Sequence, residues 1–138
     1  MIDYAHSPES LQSILSAVKS YTRGKVISVF GCGGDRDKTK RPIMGKISTS
    51  IADFTIITSD NPRTEDPDTI VNEIEVGAKK AKGKYKKIVN RTEAIKYAIN
   101  MASKNDIIVL AGKGHETYQE INGIKHHYDE REIIKEVI

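Results

Sequence analysis

Two hydrophobic rhythms take turns along this chain, an apolar stripe of period near 3.6 and short unbroken apolar runs. Leu11, Ile14, Leu15 and Val18 fall at i, i+3, i+4 and i+7, the spacing of a helix with one buried face. Ser7 is placed to cap that helix, Pro8 to fill its first turn and Arg23-Gly24 to stop it. Lys25–Phe30 then reads as a buried strand running into the glycine-rich turn Gly31–Asp37, and Arg41-Pro42 opens a helix to about Ser50 with Ile43, Met44 and Ile47 inward. Phe54–Thr58 is a second strand, followed after a polar loop by a helix from about Pro67 to Lys82 that buries Ile70, Val71 and Ile74. Lys87–Val89 is a short strand. Thr92-Glu93 starts a helix with Ile95, Ala98, Ile99 and Ala102 on one side, and Asp106–Ala111 is a further strand.

Past that point the rhythm changes. Thr117–Ile121 and Ile124–Tyr128, separated by Asn122-Gly123, have the pattern of a two-residue β-hairpin. Asp129-Glu130-Arg131-Glu132 starts a last helix ending at Val137-Ile138. Alternating strands and helices predict an α/β, Rossmann-like fold: a mainly parallel sheet with helices on both faces, to which the hairpin adds an antiparallel edge. Met1-Ile2-Asp3 reads as the tail of a strand, so the 138 residues are expected to be one domain taken from a longer protein.

Composition narrows the function classes. With 38% hydrophobic and 30% charged residues the chain suits a soluble domain, and a net charge of +3 is too small and too dispersed to argue for nucleic acid. Lysines gather between Lys79 and Lys87 with a single aromatic, Tyr85, among them, too little for base stacking, so a solvated helix end explains them. The one cysteine excludes an internal disulfide and suits a reducing cytoplasm. No apolar run reaches the ~20 residues that span a bilayer. His6, His115 and Cys32 lack paired ligand spacing, so no metal site is expected. Cys32 has no base beside it in sequence and reads as a small residue filling a turn.

The chemistry lies in three loops that leave strand ends: Gly31–Asp37, Asp60–Arg63 and Gly112–Glu116. Taken singly, each is also an ordinary strand-to-helix connection. Asn61-Pro62 forces an extended or turned backbone, and Pro67 after the Asp66 cap begins a helix. Parallel strands gather their carboxyl ends on one edge, so Arg36, Arg63, Lys113, His115 and Glu116 are expected to converge there. Arginines fork to carboxylates and a glutamate accepts from an amine, which predicts a small ligand carrying both groups. The glycines could equally cradle phosphate, although neither loop has the spacing of a Rossmann fingerprint or a P-loop.

Asp3-Tyr4-Ala5-His6-Ser7-Pro8, Gly31-Cys32-Gly33-Gly34-Asp35-Arg36-Asp37 with Lys40-Arg41-Pro42, Asp60-Asn61-Pro62-Arg63 and Gly112-Lys113-Gly114-His115-Glu116 occur in that order. Together, over nearly the whole chain, they resemble the C-terminal domain of the Mur ligases that add the third residue of the peptidoglycan stem peptide. In that family Asp-Asn-Pro-Arg is the signature for meso-diaminopimelate. The resemblance implies that Arg36, Asp60, Asn61, Pro62, Arg63, Gly112 and Glu116 form the diaminopimelate site, and that Asp3 and His6 approach ATP. It further implies a cytoplasmic ligase that uses ATP and Mg2+, forms an acyl phosphate on UDP-MurNAc-L-Ala-D-Glu and lets the amine of diaminopimelate attack it, with no catalytic residue in this domain. No Gly-x-x-x-x-Gly-Lys-Ser/Thr occurs here, and the family's N-terminal UDP-sugar and central ATPase domains are absent from the chain. The chain alone is therefore expected not to turn over, and its partners are expected to be those remaining domains and small-molecule substrates, with no nucleic acid and no membrane. The alternatives are a lysine-adding ligase, which Arg63 opposes because lysine has no distal carboxylate, a stand-alone amino-acid-binding module, and another Mur or folylpolyglutamate synthetase C-terminal domain, which the Asp-Asn-Pro-Arg loop opposes.

Overall fold

The computed structural model describes residues 2–3, 5–113, 116 and 118–137, with Asp3 and Val137 described in their backbone only. Elements follow as β1 (Ile2–Asp3), α1 (Pro8–Tyr21), β2 (Val26–Phe30), α2 (Lys40–Ile51), β3 (Phe54–Ile57), α3 (Pro67–Ala81), β4 (Tyr85–Lys87), α4 (Arg91–Met101), β5 (Ile107–Ala111), β6 (Tyr118–Ile121), β7 (Ile124–His127) and α5 (Glu130–Val137). The main sheet has the order β1-β5-β2-β3-β4, all of its pairings parallel. Chain order runs outward in one direction from β2 through β3 to β4, while β5 lies on the other side of β2. The strand order thus reverses between β5 and β2, the place where open α/β sheets leave a crevice.

Every residue of β2 is buried, because alternate side chains point to opposite faces and both faces are covered. Val26 and Phe30 join Leu11, Leu15, Met44, Ile70 and Ile74 from α1, α2 and α3 on one face. Ile27 and Val29 join Ala94, Ile95, Ala98 and Ile133 from α4 and α5 on the other. The helices start where capping chemistry places them. Ser7, Asp66 and Asn90 accept from Ser10 N, Asp68 N and Glu93 N, and prolines occupy the first turns of α1 and α3.

Three details differ from the sequence reading. Ile43 is 50% exposed, because the inward stripe of α2 is Arg41, Met44, Gly45, Ser48 and Thr49; a buried arginine shifts the face away from the isoleucine. β4 begins two residues earlier than expected, and its pairing continues when Ile88 N donates to Ile57 O at 2.9 Å and Ser59 N donates to Val89 O at 3.2 Å. The hairpin does not extend the main sheet. β6 and β7 form their own antiparallel pair around a tight turn, with Asn122 at φ 51° and Gly123 at φ 77°. It is joined to the rest by a parallel bridge between Arg63 and Ile121 and by side-chain hydrogen bonds from Gln119 Nε2 to Asp60 O and from Glu120 N to Asn61 Oδ1. Among the described residues, no helix is long and apolar enough to cross a membrane.

Candidate functional site

The loops after β5, β2 and β3 leave neighbouring strands at the same edge, and between them lies a pocket of ≈ 160 Å³. Of the residues expected there, Arg36, Asp60, Asn61, Arg63, Gly112 and Glu116 line it, and so does His6, which was expected near ATP. Gly31, Cys32, Gly33 and Lys40 complete the wall. Pro62 faces a different cleft, beside Gln119 and Ile121, and its carbonyl accepts from Glu65 N at 3.0 Å; its part is to stiffen the loop. The side chain of Asp3 and all of His115 and Gly114 lie outside the described residues.

The glycines serve close approach between loops. A β-carbon on Gly31 would stand 2.3 Å from Thr58 O, and one on Gly34 would stand 1.8 Å from Pro62 O. Gly34 N also donates to Asn61 O at 2.7 Å. Neither position is thus an open phosphate cradle. The contact brings the guanidinium of Arg63 across Gly33, with Nη1 donating to Gly34 O at 3.1 Å and to Asn61 O at 3.4 Å. Arg63 itself has φ 52°, a left-handed conformation that costs a non-glycine residue energy and persists because its surroundings hold it. Those surroundings are the hairpin. Arg63 N donates to Glu120 O at 3.0 Å, Asn122 N donates to Arg63 O at 2.6 Å, and Nε faces the Glu120 carboxylate at 3.4 Å.

Three buried cations hold these loops from behind. Arg41, fully buried on α2, donates to Gly33 O and to the carboxylates of Glu65 and Glu73. Glu65 also accepts from Asp35 N at 2.6 Å. The hydrogen bonds from Arg41 and then from Asp35 hold its carboxyl at about 2, far below its ordinary 4.5. Arg91, at the start of α4, donates to Ser59 O and Ala111 O, the ends of β3 and β5, and pairs with Glu130 of α5 at 2.8 Å. Lys113 was expected to face a ligand, but it turns inward and is fully buried. Its Nζ meets Asn61 Oδ1 and Tyr118 O, each at 2.9 Å, and Asp60 Oδ1 at 3.1 Å. Cys32 is buried against Met44, and burial pushes its thiol up to about 12, so it stays protonated and unreactive.

Lys40 and Arg41 stood in one of the sequence motifs without a site role, and Arg91 stood in none. Lys40 lines the pocket and donates to His6 O at 3.0 Å. A signal for the two arginines was present: each occupies a position in the buried stripe of its helix, where an unpaired charge would be too costly to keep.

The profile of the Mur ligase glutamate ligase domain matches residues 1–114. The chain belongs to the Mur ligase family. It is 50% identical over its full length to a UDP-N-acetylmuramoyl-L-alanyl-D-glutamate–2,6-diaminopimelate ligase of Clostridioides difficile. It is 54% identical over its full length to the corresponding ligase 1 of Clostridium acetobutylicum. A solved structure of a ligase of the same name, 44% identical, superposes with a TM-score of 0.93 over 99% of this chain. The chain spans 28% of the length of each of these relatives.

The pocket brings charges of both signs together, with Arg36, Lys40, Arg63, Asp60 and Glu116 in its wall. A β-carbon on Gly31 or Gly34 would meet backbone and one on Gly33 or Gly112 the side chain of Arg63 or Asp60, while Asp60 and Glu116 lie 3.1 and 3.9 Å from the Lys113 ammonium. Among the described residues, no three His, Cys, Asp or Glu side chains are grouped so as to hold a metal ion, and His6 stands in the pocket wall.

Proposed function

We propose that residues 1–138 are one domain, the C-terminal amino-acid-positioning domain of a cytoplasmic ligase in peptidoglycan synthesis. That ligase joins meso-diaminopimelate to UDP-MurNAc-L-Ala-D-Glu in an ATP-dependent, amide-forming reaction. The UDP-sugar and ATPase domains lie on other segments of the protein, and those segments hold most of the ATP and Mg2+. The observation that carries this reading is the charge pattern of the pocket. Arg36, Lys40 and Arg63 offer cations, while Asp60 and Glu116 offer carboxylates, around one ≈ 160 Å³ space. Diaminopimelate, with a carboxylate and an ammonium at each end, matches both sets. Lysine lacks the second carboxylate and would offer the Arg63 guanidinium no anion beyond the Glu120 carboxylate already beside it, so the lysine-adding alternative is disfavoured.

In this scheme the domain supplies position. Arg63 and Asn61 hold a carboxylate, Glu116 and Asp60 hold an ammonium, and the amine that reacts is presented toward the acceptor at a fixed distance and angle. Such placement can contribute much of a rate enhancement without any acid or base from this chain. Asp3 and His6 are proposed to meet the nucleotide edge when the domains close, which excludes water from the activated carboxyl.

The test has two arms. The 138-residue protein, titrated with meso-diaminopimelate, is expected to show amide shifts confined to the three loops, with no comparable response to lysine. Mixed with ATP, Mg2+, meso-diaminopimelate and UDP-MurNAc-L-Ala-D-Glu, it is expected to give no product. Loop shifts with lysine that equal those with diaminopimelate would contradict the specificity, and turnover by this chain alone would contradict the division of labour.

A further inference from the structure

We propose that Lys113 is the residue that makes the pocket a carboxylate reader, because it fixes which edge of the Asn61 amide faces the ligand. This rests on the diaminopimelate reading above. Asn61 has one acceptor and one donor edge of nearly the same shape, and which is presented depends on what holds the other. Its Oδ1 takes two donors, Lys113 Nζ at 2.9 Å and Glu120 N at 2.9 Å. Both partners can only donate, so the atom between them is the oxygen. The amide nitrogen is then the edge left for the pocket that Asn61 lines. Arg63, Arg36 and Lys40 line the same pocket, so with this amide edge turned inward its carboxylate end becomes all donor.

Lys113 is built for this task. Its ammonium is fully buried, which is tolerable only when its donors are used. They reach Asn61 Oδ1 on one loop and Tyr118 O on the hairpin, the Asp60 carboxylate stands 3.1 Å away as a counter-charge, and the rings of Tyr118 and Tyr128 flank it at 5.9 Å each. Its own backbone lies between two pocket residues, Gly112 and Glu116, and Glu116 N donates to Lys113 O at 2.9 Å. One side chain thus ties the loop after β3, the loop after β5 and the hairpin into a single wall. Without it, Glu120 N alone holds the oxygen, and the Asn61 amide turns more readily to offer its oxygen, which repels the carboxylate that distinguishes diaminopimelate from lysine.

The experiment measures ligation by the full-length enzyme, with meso-diaminopimelate and with lysine as competing substrates. Lys113→Met, close in length and uncharged, is expected to raise the KM for diaminopimelate and lower the diaminopimelate-to-lysine preference roughly 10- to 100-fold, the scale of one lost hydrogen bond to a charged group. The KM for ATP stays as in the unsubstituted enzyme, which a general loss of structure would not allow. Asn61→Asp is the second variant, for the case in which Lys113→Met fails to fold. It keeps an oxygen for Lys113 but turns a second oxygen to the pocket, so it is expected to melt at or above the unsubstituted temperature while losing diaminopimelate at least about 10-fold. A Lys113→Met enzyme with its preference and KM intact overturns the inference, as does an Asn61→Asp enzyme that uses diaminopimelate normally. An unsubstituted enzyme that does not ligate diaminopimelate overturns the functional reading itself, and the inference with it.

Discussion

Gly34 and Pro62 touch so closely that a β-carbon on the glycine would lie 1.8 Å from the proline carbonyl oxygen. Neither backbone can yield, because Gly34 N is bonded to Asn61 O and Pro62 O accepts from Glu65 N. Gly34→Ala is therefore expected to destabilise the protein by about 1–3 kcal/mol or more, as overpacked sites do. At Gly33 the obstacle is different: the end of the Arg63 side chain, 2.8 Å away. Gly33→Ala should push the guanidinium aside at little cost in stability and weaken diaminopimelate binding. Thermal melts and titrations on the two variants check this pair, and equal losses of stability would contradict it.

Glu65 gives the fold an acid-sensitive support. Its carboxyl titrates near 2 in the folded protein against an ordinary 4.5. A depressed folded value means stability that is fully present above the unfolded value and lost as pH falls through the folded one. The loss from this group is thus expected between about pH 4.5 and pH 2. Glu65→Gln should be less stable than the unsubstituted protein at pH 7 and should lose the part of the acid limb that Glu65 contributes. Melting curves across that range read the difference, and parallel acid limbs would refute it.

Arg91 and Glu130 are both essentially unexposed and 2.8 Å apart. Removing one partner leaves the other buried and unpaired, which typically costs about 3–5 kcal/mol. Arg91→Met is expected to fall in that range and to loosen the ends of β3 and β5, whose carbonyls it holds. Glu130→Gln should cost less, because the amide oxygen can still accept from Nε. Urea unfolding of the two variants gives the ranking directly.

The helical stripes and apolar strands were legible because each depends on local spacing. So were the caps at Ser7 and Asp66, the Asn122-Gly123 turn and the meeting of three loops at one edge, which parallel pairing requires. What was not legible depended on partners far away in sequence. Ile43 seemed inward by hydrophobicity, but Arg41 takes the inward position because Glu65 and Glu73, on the next loop and helix, are there to receive it. Lys113 sits in a glycine loop like a phosphate-binding lysine, yet its buried partners are Asn61 and Tyr118 O. The hairpin was visible as a hairpin. That it backs Arg63 instead of extending the sheet follows from the left-handed turn at Arg63, which no local pattern announces.

The central claim is that Arg63, held over Gly33 by the carbonyls of Gly34 and Asn61, selects diaminopimelate by its second carboxylate. Its most direct measurement is the ratio of kcat/KM for meso-diaminopimelate to that for lysine in the full-length ligase, with Arg63 intact and as Arg63→Ala. A site that leaves a polar group unpaired against the wrong substrate can discriminate by on the order of 10⁴-fold. Arg63→Ala is expected to remove most of that ratio while the KM for ATP changes little, and Arg63→Lys to restore only part, since an ammonium lacks the fork. A ratio left unchanged by Arg63→Ala would contradict the account and pass the selection to Arg36 and Glu116.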